Sequence, residues 1–382
     1  MVNTVSDMLN MALPLAEMTI IKRDFDLFKK LALSLSPDVQ TQLVPYSALF
    51  CYEIIEYLNK NGQQVDIEQT SRYSIKEIRQ KAKFFDLSVN KLMQSIENID
   101  ELQNDYFINL MKYPQLGYWN MHTNLGIFFD NDKNIVGNTH YAYYVFQDEK
   151  MICKPKDVMS GHELSGEEIR AFAYDMGRII GSISSGFSEL SDFMVADVST
   201  ESINLNNQDF NTNRCGIIGN DEYKIVRLFL LHVLSSFGFV LYVLKKVIIR
   251  DTGLLLRFEY ITYHYAIKRL EGILNYCRSS KSQIDDNNLI EALNKIDYNN
   301  ANHLRDTNFR NCMMHFGLKG KNDSPLIKEE KLNLALPFCG LVESIFDMTY
   351  DEYKEKVESE LTNLYDIISK YLQFELLLAD KE

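Results

Sequence analysis

Arg310-Asn311-Cys312-Met313-Met314-His315 puts a permanent cation, an amide and a titratable imidazole into six consecutive residues. An arginine stays charged at any useful pH, whereas an imidazole gives or takes a proton near neutrality. Together they can hold a phosphate and move a proton beside it without a metal ion. Spacing limits how. At ~100° per residue on a helix, Asn311 and His315 share a face one turn apart, while Arg310 is rotated ~140° from His315. Both can grip one small ligand only if the long Arg side chain wraps around, or if a second copy of the helix lies alongside.

The loose pattern, Arg and His separated by four to six intervening residues, is expected ~0.7 times by chance in a chain of this composition. It occurs three times: Arg227 to His232, Arg257 to His264 and Arg310 to His315. Only the last has Asn directly after Arg, a form expected ~0.02 times. Arg227 and His232 sit in an almost continuous apolar run, Ile225 to Ile249, where a His is ordinarily a core residue. Arg257 and His264 fall on a stretch rich in Tyr and Phe, where packing again accounts for them. Around the third pair, Leu304, Phe309, Cys312, Met313 and Phe316 fit a buried stripe. Thr307, Arg310, Asn311 and Met314 fit a more exposed one, with His315 at its edge and Gly317 and Gly320 as helix-ending residues. The bland alternative is a surface Arg with a C-terminal His offsetting the helix dipole.

This Arg-polar-x-x-x-His arrangement resembles the motif of the HEPN superfamily, helical domains of bacterial toxins, abortive-infection proteins and CRISPR-associated ribonucleases. The resemblance covers roughly residues 222–378. It implies a metal-independent endoribonuclease without a cofactor, acting as an effector of a toxin–antitoxin or antiphage system. Cleavage would proceed by attack of the RNA's own 2′-hydroxyl, leaving a 2′,3′-cyclic phosphate. His315 would be the general acid or base, Arg310 would stabilise the transition state, and Asn311 would orient the phosphate or the imidazole. It also implies an isologous homodimer with the two His315 side chains facing a shared cleft. The apolar helices Ile225 to Ile249 and Tyr260 to Tyr276 offer further surface to bury in such a dimer, with residues 1–221 outside it and free to gate access. The alternative is a non-catalytic HEPN bundle serving dimerisation or nucleotide binding.

The elements that must carry this motif follow from periodicity. The chain reads as mainly α with a small antiparallel β meander in its N-terminal half. Residues 1–201 form a mostly helical N-terminal domain, with amphipathic runs at Asp24 to Leu35, Pro45 to Leu58 and Ser74 to Ile99. The meander lies near 117–154: Ile127 to Phe129 and Ile135-Val136 flank the turn Asp130 to Asn134, and Tyr141 to Phe146 and Met151 to Cys153 flank Gln147 to Lys150. A helix from Gly166 to about Phe187 opens on a Ser165–Glu168 capping box. Asn-rich residues 202–221 read as a linker.

Residues 222–382 read as an up-and-down bundle with helices over Tyr223 to Ile249, Leu254 to Ser279, Leu289 to Ile296, Asn302 to Phe316, Lys328 to Phe346 and Tyr350 to Leu378. Thr349 and Glu352 make a capping box, and Pro337 kinks or splits its helix. Tyr353, Val357, Leu361, Leu364, Ile368, Tyr371 and Leu372 give the last helix its core stripe.

Composition narrows the partners. The 382 residues carry a net charge of −13, and six scattered cysteines (51, 153, 215, 277, 312, 339) fit a reducing, cytoplasmic setting better than a disulfide or zinc framework. No export signal is visible at the N-terminus. Leu228 to Leu244 has no Asp, Glu, Lys or Arg, but His232, Ser235, Ser236 and Gly238 favour a buried helix over stable membrane insertion. Residues 222–382 hold 21 Lys plus Arg against 23 Asp plus Glu, and residues 1–221 hold 19 against 30. A nonspecific polyanion binder is basic overall, so RNA would have to be held locally, with Arg305, Lys319 and Lys321 as candidates. The acidic N-terminal half suits a protein partner such as an antitoxin or sensor.

Three lesser motifs are weaker. Asp130-x-Asp132-x-Asn134 starts like a calcium loop, but Ile135 replaces its turn Gly and Tyr141 its final Glu, which leaves a turn. Gly177-x-x-x-Gly181 permits close helix packing. Residues 71–93, basic in an acidic chain, have the rhythm of a DNA-binding helix-turn-helix through Arg79 and Lys83, a rhythm any helix pair shares.

Overall fold

A computed structural model describes residues 4–63, 65, 69–83, 88–104, 123–146, 165–187, 197–199, 203–219, 221–250, 253–279 and 286–373. The chain is mostly helical with a small three-stranded antiparallel sheet. Two long helices open it, α1 (Thr4–Ser34) and α2 (Pro37–Lys60), each running through an internal proline. A single-turn helix α3 (Ile75–Ile78), a tight turn over Arg79–Lys83 and α4 (Val89–Gln103) follow.

The sheet departs in part from the meander. Strands β1 (Leu125–Phe129) and β2 (Ile135–Asn138) form the expected hairpin, with Ile127 opposite Asn138. In the turn, the Asp130 carboxylate accepts from the amides of Asp132 and Asn134, and Lys246 pairs with Asp130 at 3.0 Å and Asp132 at 3.2 Å. A lysine therefore sits on the carboxylates that mimic a calcium loop.

Tyr141 to Phe146, expected as a strand, belongs to helix α5 (Thr139–Phe146). The Asn138 side chain accepts from the Tyr141 amide at 2.9 Å, a capping bond that starts a helix, and Tyr141, Tyr144 and Val145 reach the core at helical spacing. Met151 to Cys153 lie outside the described residues. The third strand, β3, comes instead from the segment read as a linker: Asn206–Phe210 pairs antiparallel with β1, Leu125 opposite Phe210.

Helix α6 (Ser165–Gly186) matches expectation; the side chains of its Ser165–Glu168 box lie outside the described ones. Among the described residues, a Cβ on Gly177 or Gly181 would meet nothing within 4 Å, so this pair mediates no close packing among them.

Helix α7 (Lys224–Val247) loosens into a π-helical stretch at Phe239–Leu244, then gives way to a short strand, Ile248–Arg250, paired with Asp197–Val198. It was expected to stay helical to Ile249. Among the described residues it is the one helix long and apolar enough to cross a membrane, and 83% of its most apolar window is buried inside the protein. Gly238 explains itself here. A Cβ at that position would collide with the Ile135 carbonyl of β2. Gly238→Ala is expected to lose about 1–3 kcal/mol by overpacking, read as a lower urea midpoint at unchanged slope. An unchanged midpoint would show that helix and sheet are not in this contact.

Two histidines sit under the same helix. His140 faces the Asn124 carbonyl through Nε2 at 3.2 Å, and its ring lies 6.3 Å from that of His232, both fully buried. Burial lowers the His140 pKa to about 4, Asp100 opposing the shift; burial and then His140 lower that of His232. The unfolded chain therefore takes up protons between about pH 6.5 and 4 that the folded chain refuses, and stability falls as pH falls through that window. The loss from His140 alone is on the order of 3 kcal/mol. Urea midpoints at pH 7 and pH 5 check this, and His232→Phe should flatten the difference. Equal midpoints in the wild type would contradict it.

The remaining helices are α8 (Leu254–Cys277), α9 (Asn287–Asn294), α10 (Tyr298–His303), α11 (Thr307–His315), α12 (Pro337–Phe346) and α13 (Tyr350–Leu372). Pro337 does not kink a helix; it begins one, where its missing N–H costs nothing. Thr349 and Glu352 make the expected reciprocal capping box, and the α13 stripe is buried except for half-buried Tyr371.

The long apolar helices α7 and α8 are covered within one chain. Most of their described residues are buried, so these helices themselves offer little further apolar surface for a dimer. Phe50 of α2, Phe258 of α8 and Phe316 just past α11 meet at ring separations of 5.5 Å and 6.2 Å. The N-terminal half therefore packs directly on the motif helix.

Candidate active site

The motif helix is shorter than its periodicity suggests. Asn302 to Phe316 was expected as one helix, but α10 ends at His303 and α11 starts at Thr307. Asp306 makes the break by capping the Phe309 amide at 2.8 Å. Tyr260 of α8 holds the same corner, donating to the Asp306 carbonyl and accepting from its amide, and Tyr353 of α13 donates to the Leu304 carbonyl at 2.7 Å. The other end closes through Phe316, which stands in left-handed backbone at φ 60°, rather than through Gly317.

Arg257 explains why a phenylalanine is held there. Its guanidinium lies 4.2 Å from the Phe316 ring centroid, donates to the Met313 carbonyl at 2.8 Å and pairs with Asp24 of α1 at 3.0 Å. One buried cation thus gathers the end of α11, where helix carbonyls are unpaired and the dipole is negative.

The buried stripe is as expected: Leu304, Phe309, Cys312, Met313 and Phe316 are all inside. Met314 is not on the exposed stripe. It is fully buried, because α11 packs against α8 on one side and α2 on the other. Burial also pushes the Cys312 thiol up to about 12, Arg257 opposing the shift, so this cysteine stays a thiol and is no nucleophile.

The candidate residues face different neighbours. Arg310 is half-buried and donates through Nη1 to the Tyr265 hydroxyl of α8 at 3.3 Å, while its Nε is buried with no hydrogen-bond partner among the described residues. Asn311 is exposed. The His315 side chain is 45% exposed, and its Nδ1 lies 2.9 Å from a carboxylate oxygen of Glu53 on α2. Glu53 is itself only 9% exposed, and its other oxygen accepts from Arg79 Nη1 at 2.7 Å. Arg310 and His315 thus contact different helices, as the ~140° offset requires.

Of the proposed RNA-holding residues, Arg305 bonds the Asn302 side chain at 2.7 Å and lies 3.5 Å from His264 Nδ1. Lys319 is exposed beside a bridge to Pro325, and the Lys321 side chain lies outside the described ones. The other two loose motif matches serve packing: His232 is fully buried, as is Arg257.

Glu53, Arg79 and Tyr265 were not anticipated beside the motif. Glu53 gave one weak signal, a lone carboxylate in the apolar run Phe50 to Ile55. Arg79 was noted only as a DNA-binding candidate, but its guanidinium turns inward, 4.0 Å from the Tyr52 ring centroid, and the helix before it is one turn long. Tyr265 had no signal beyond a Tyr-rich helix. Within one chain, α2 reaches the motif through Glu53, and the Arg79 turn reaches Glu53.

Chemically, a carboxylate 2.9 Å from Nδ1 favours the imidazole proton on that nitrogen, which turns Nε2 to the reacting side. Set against known protein families, curated proteins and solved structures, the chain matches none of them.

Proposed function

We propose that the chain is a HEPN-like, metal-independent endoribonuclease, with residues 222–382 as its helical bundle. The observation that carries this reading is His315: a half-exposed imidazole, held through Nδ1 by Glu53, five residues from Arg310 on one helix. In this reading neutral His315 takes the proton from an RNA 2′-hydroxyl through Nε2. The freed oxygen attacks the adjacent phosphorus, and the 5′-oxygen leaves with a proton from the protonated His315 of a second copy. A 2′,3′-cyclic phosphate and a 5′-hydroxyl result. Arg310 faces the charge that builds on the phosphoryl oxygens. The two copies pair through α11 and its neighbours, since the ~140° offset keeps one helix from placing both groups on one phosphate. The setting is the cytoplasm, and the role that of a defence or toxin effector.

The test is purified protein incubated with total RNA, with and without EDTA, beside Arg310→Ala and His315→Ala, with light scattering to measure mass. A dimer that cuts RNA regardless of EDTA, and only with both residues present, is expected. Equal cleavage by all three proteins would contradict the reading. A strict monomer that cuts RNA would overturn the shared site alone.

One observation favours a second reading. Arg310 is engaged by Tyr265 rather than beside His315, which suits a non-catalytic bundle that binds nucleotides or pairs with itself. RNA binding without cleavage would support it.

A further inference from the structure

We infer that the N-terminal half of the same chain completes the His315 site: Glu53 positions the imidazole, and Arg79 is the cation that anchors a phosphodiester beside it. The substrate class rests on the nuclease reading above; the residues rest on geometry. The Glu53 carboxylate divides its oxygens, Oε2 lying 2.9 Å from His315 Nδ1 and Oε1 accepting from Arg79 Nη1 at 2.7 Å. His315 and Arg79 are therefore neighbours across one carboxylate, whereas Arg310 is turned to Tyr265 on another helix.

An arginine has five N–H donors in a planar fork. Glu53 takes one at Arg79 and Nε is buried, so a ligand meets the Nη donors through the 13% of the side chain that is exposed. The guanidinium plane is held over the Tyr52 ring at 4.0 Å. A fork fixed by a ring and a carboxylate is preorganised for a second planar acceptor, and a phosphate matches it bidentately. Charge agrees. Glu53 and Arg79 cancel, so a proton gained at His315 leaves the group at +1, which favours an anion.

Glu53 acts through His315 and is a positioning residue. A carboxylate 2.9 Å from Nδ1 favours the proton there, which makes Nε2 the reacting nitrogen. Without Glu53 the proton is free to sit on either nitrogen, and the ring is free to turn.

The experiment uses the full chain labelled at its seven histidines. The His315 ring signals are identified by their loss in His315→Ala, and those of buried His140 and His232 report that each variant is folded. Three results are expected. In the wild type the ring nitrogens of His315 show the Nδ1–H tautomer, and Glu53→Ala converts this to a mixture. Added inorganic phosphate shifts the His315 ring signal. Arg79→Met weakens that phosphate response by about tenfold or more. If Arg79→Met does not fold, Arg79→Lys keeps the charge but not the fork and should weaken the response by about threefold or more.

The inference is overturned if phosphate does not move the wild-type signal, if both Arg79 variants respond as the wild type does, or if Glu53→Ala leaves the tautomer unchanged. Its failure is separable from that of the nuclease reading. A wild type that cuts no RNA, but whose His315 responds to phosphate through Arg79, removes the nuclease and leaves the anion site.

Discussion

Replacing Arg257 with methionine is expected to lower folding stability by about 3–5 kcal/mol, the usual cost of breaking a buried ion pair from one side. Arg257 is fully buried; it pairs with Asp24 and also holds the Met313 carbonyl and the Phe316 ring. Its removal strands the Asp24 carboxylate without its cation and frees the end of α11. Lysine should not rescue it, because one ammonium cannot both lie flat on the ring and reach the carboxylate and carbonyl. Asp24→Asn combined with Arg257→Met should be much less damaging than the sum of the two, since both charges then leave together. Urea unfolding of the four proteins gives the coupling directly. A single Arg257→Met loss under about 1 kcal/mol would show that the pair does not organise this region.

His315→Ala should behave in the opposite way. The side chain is 45% exposed and its one charged partner is Glu53, so the substitution should change stability by at most about 1 kcal/mol. RNA cleavage should nevertheless fall by about 10²–10⁴-fold, the range that a positioned general acid or base contributes. Initial rates on a defined single-stranded RNA, compared at matched folded fraction, measure it. A loss under about threefold would remove His315 from the chemistry.

How much of this was legible in the sequence depends on whether the causes are local. The last helix was readable because Thr349, Glu352 and a regular apolar stripe are all local to it. The turn at Asp130 was readable because one carboxylate bonds two amides within four residues. Tyr141 to Phe146 misled because its aromatic content suits a strand, and the cap that makes it a helix is a single Asn138 side chain. Asn206–Phe210 looked like a linker because it is polar; what makes it a strand is the apolar edge of β1, 81 residues earlier at its start.

The site divides in the same way. Arg310, Asn311 and His315 stand out by spacing on one helix. Glu53 and Arg79 reach them through tertiary packing alone, and no sequence period connects residues 53, 79 and 315.

The ends of the RNA product test the central claim most directly. RNA of defined sequence is cut by the wild-type chain in EDTA, and the new termini are analysed chemically. Attack by the 2′-hydroxyl predicts a 2′,3′-cyclic phosphate on one fragment and a 5′-hydroxyl on the other, both missing with His315→Ala. A 5′-phosphate beside a free 3′-hydroxyl, or the same products from His315→Ala, would contradict it.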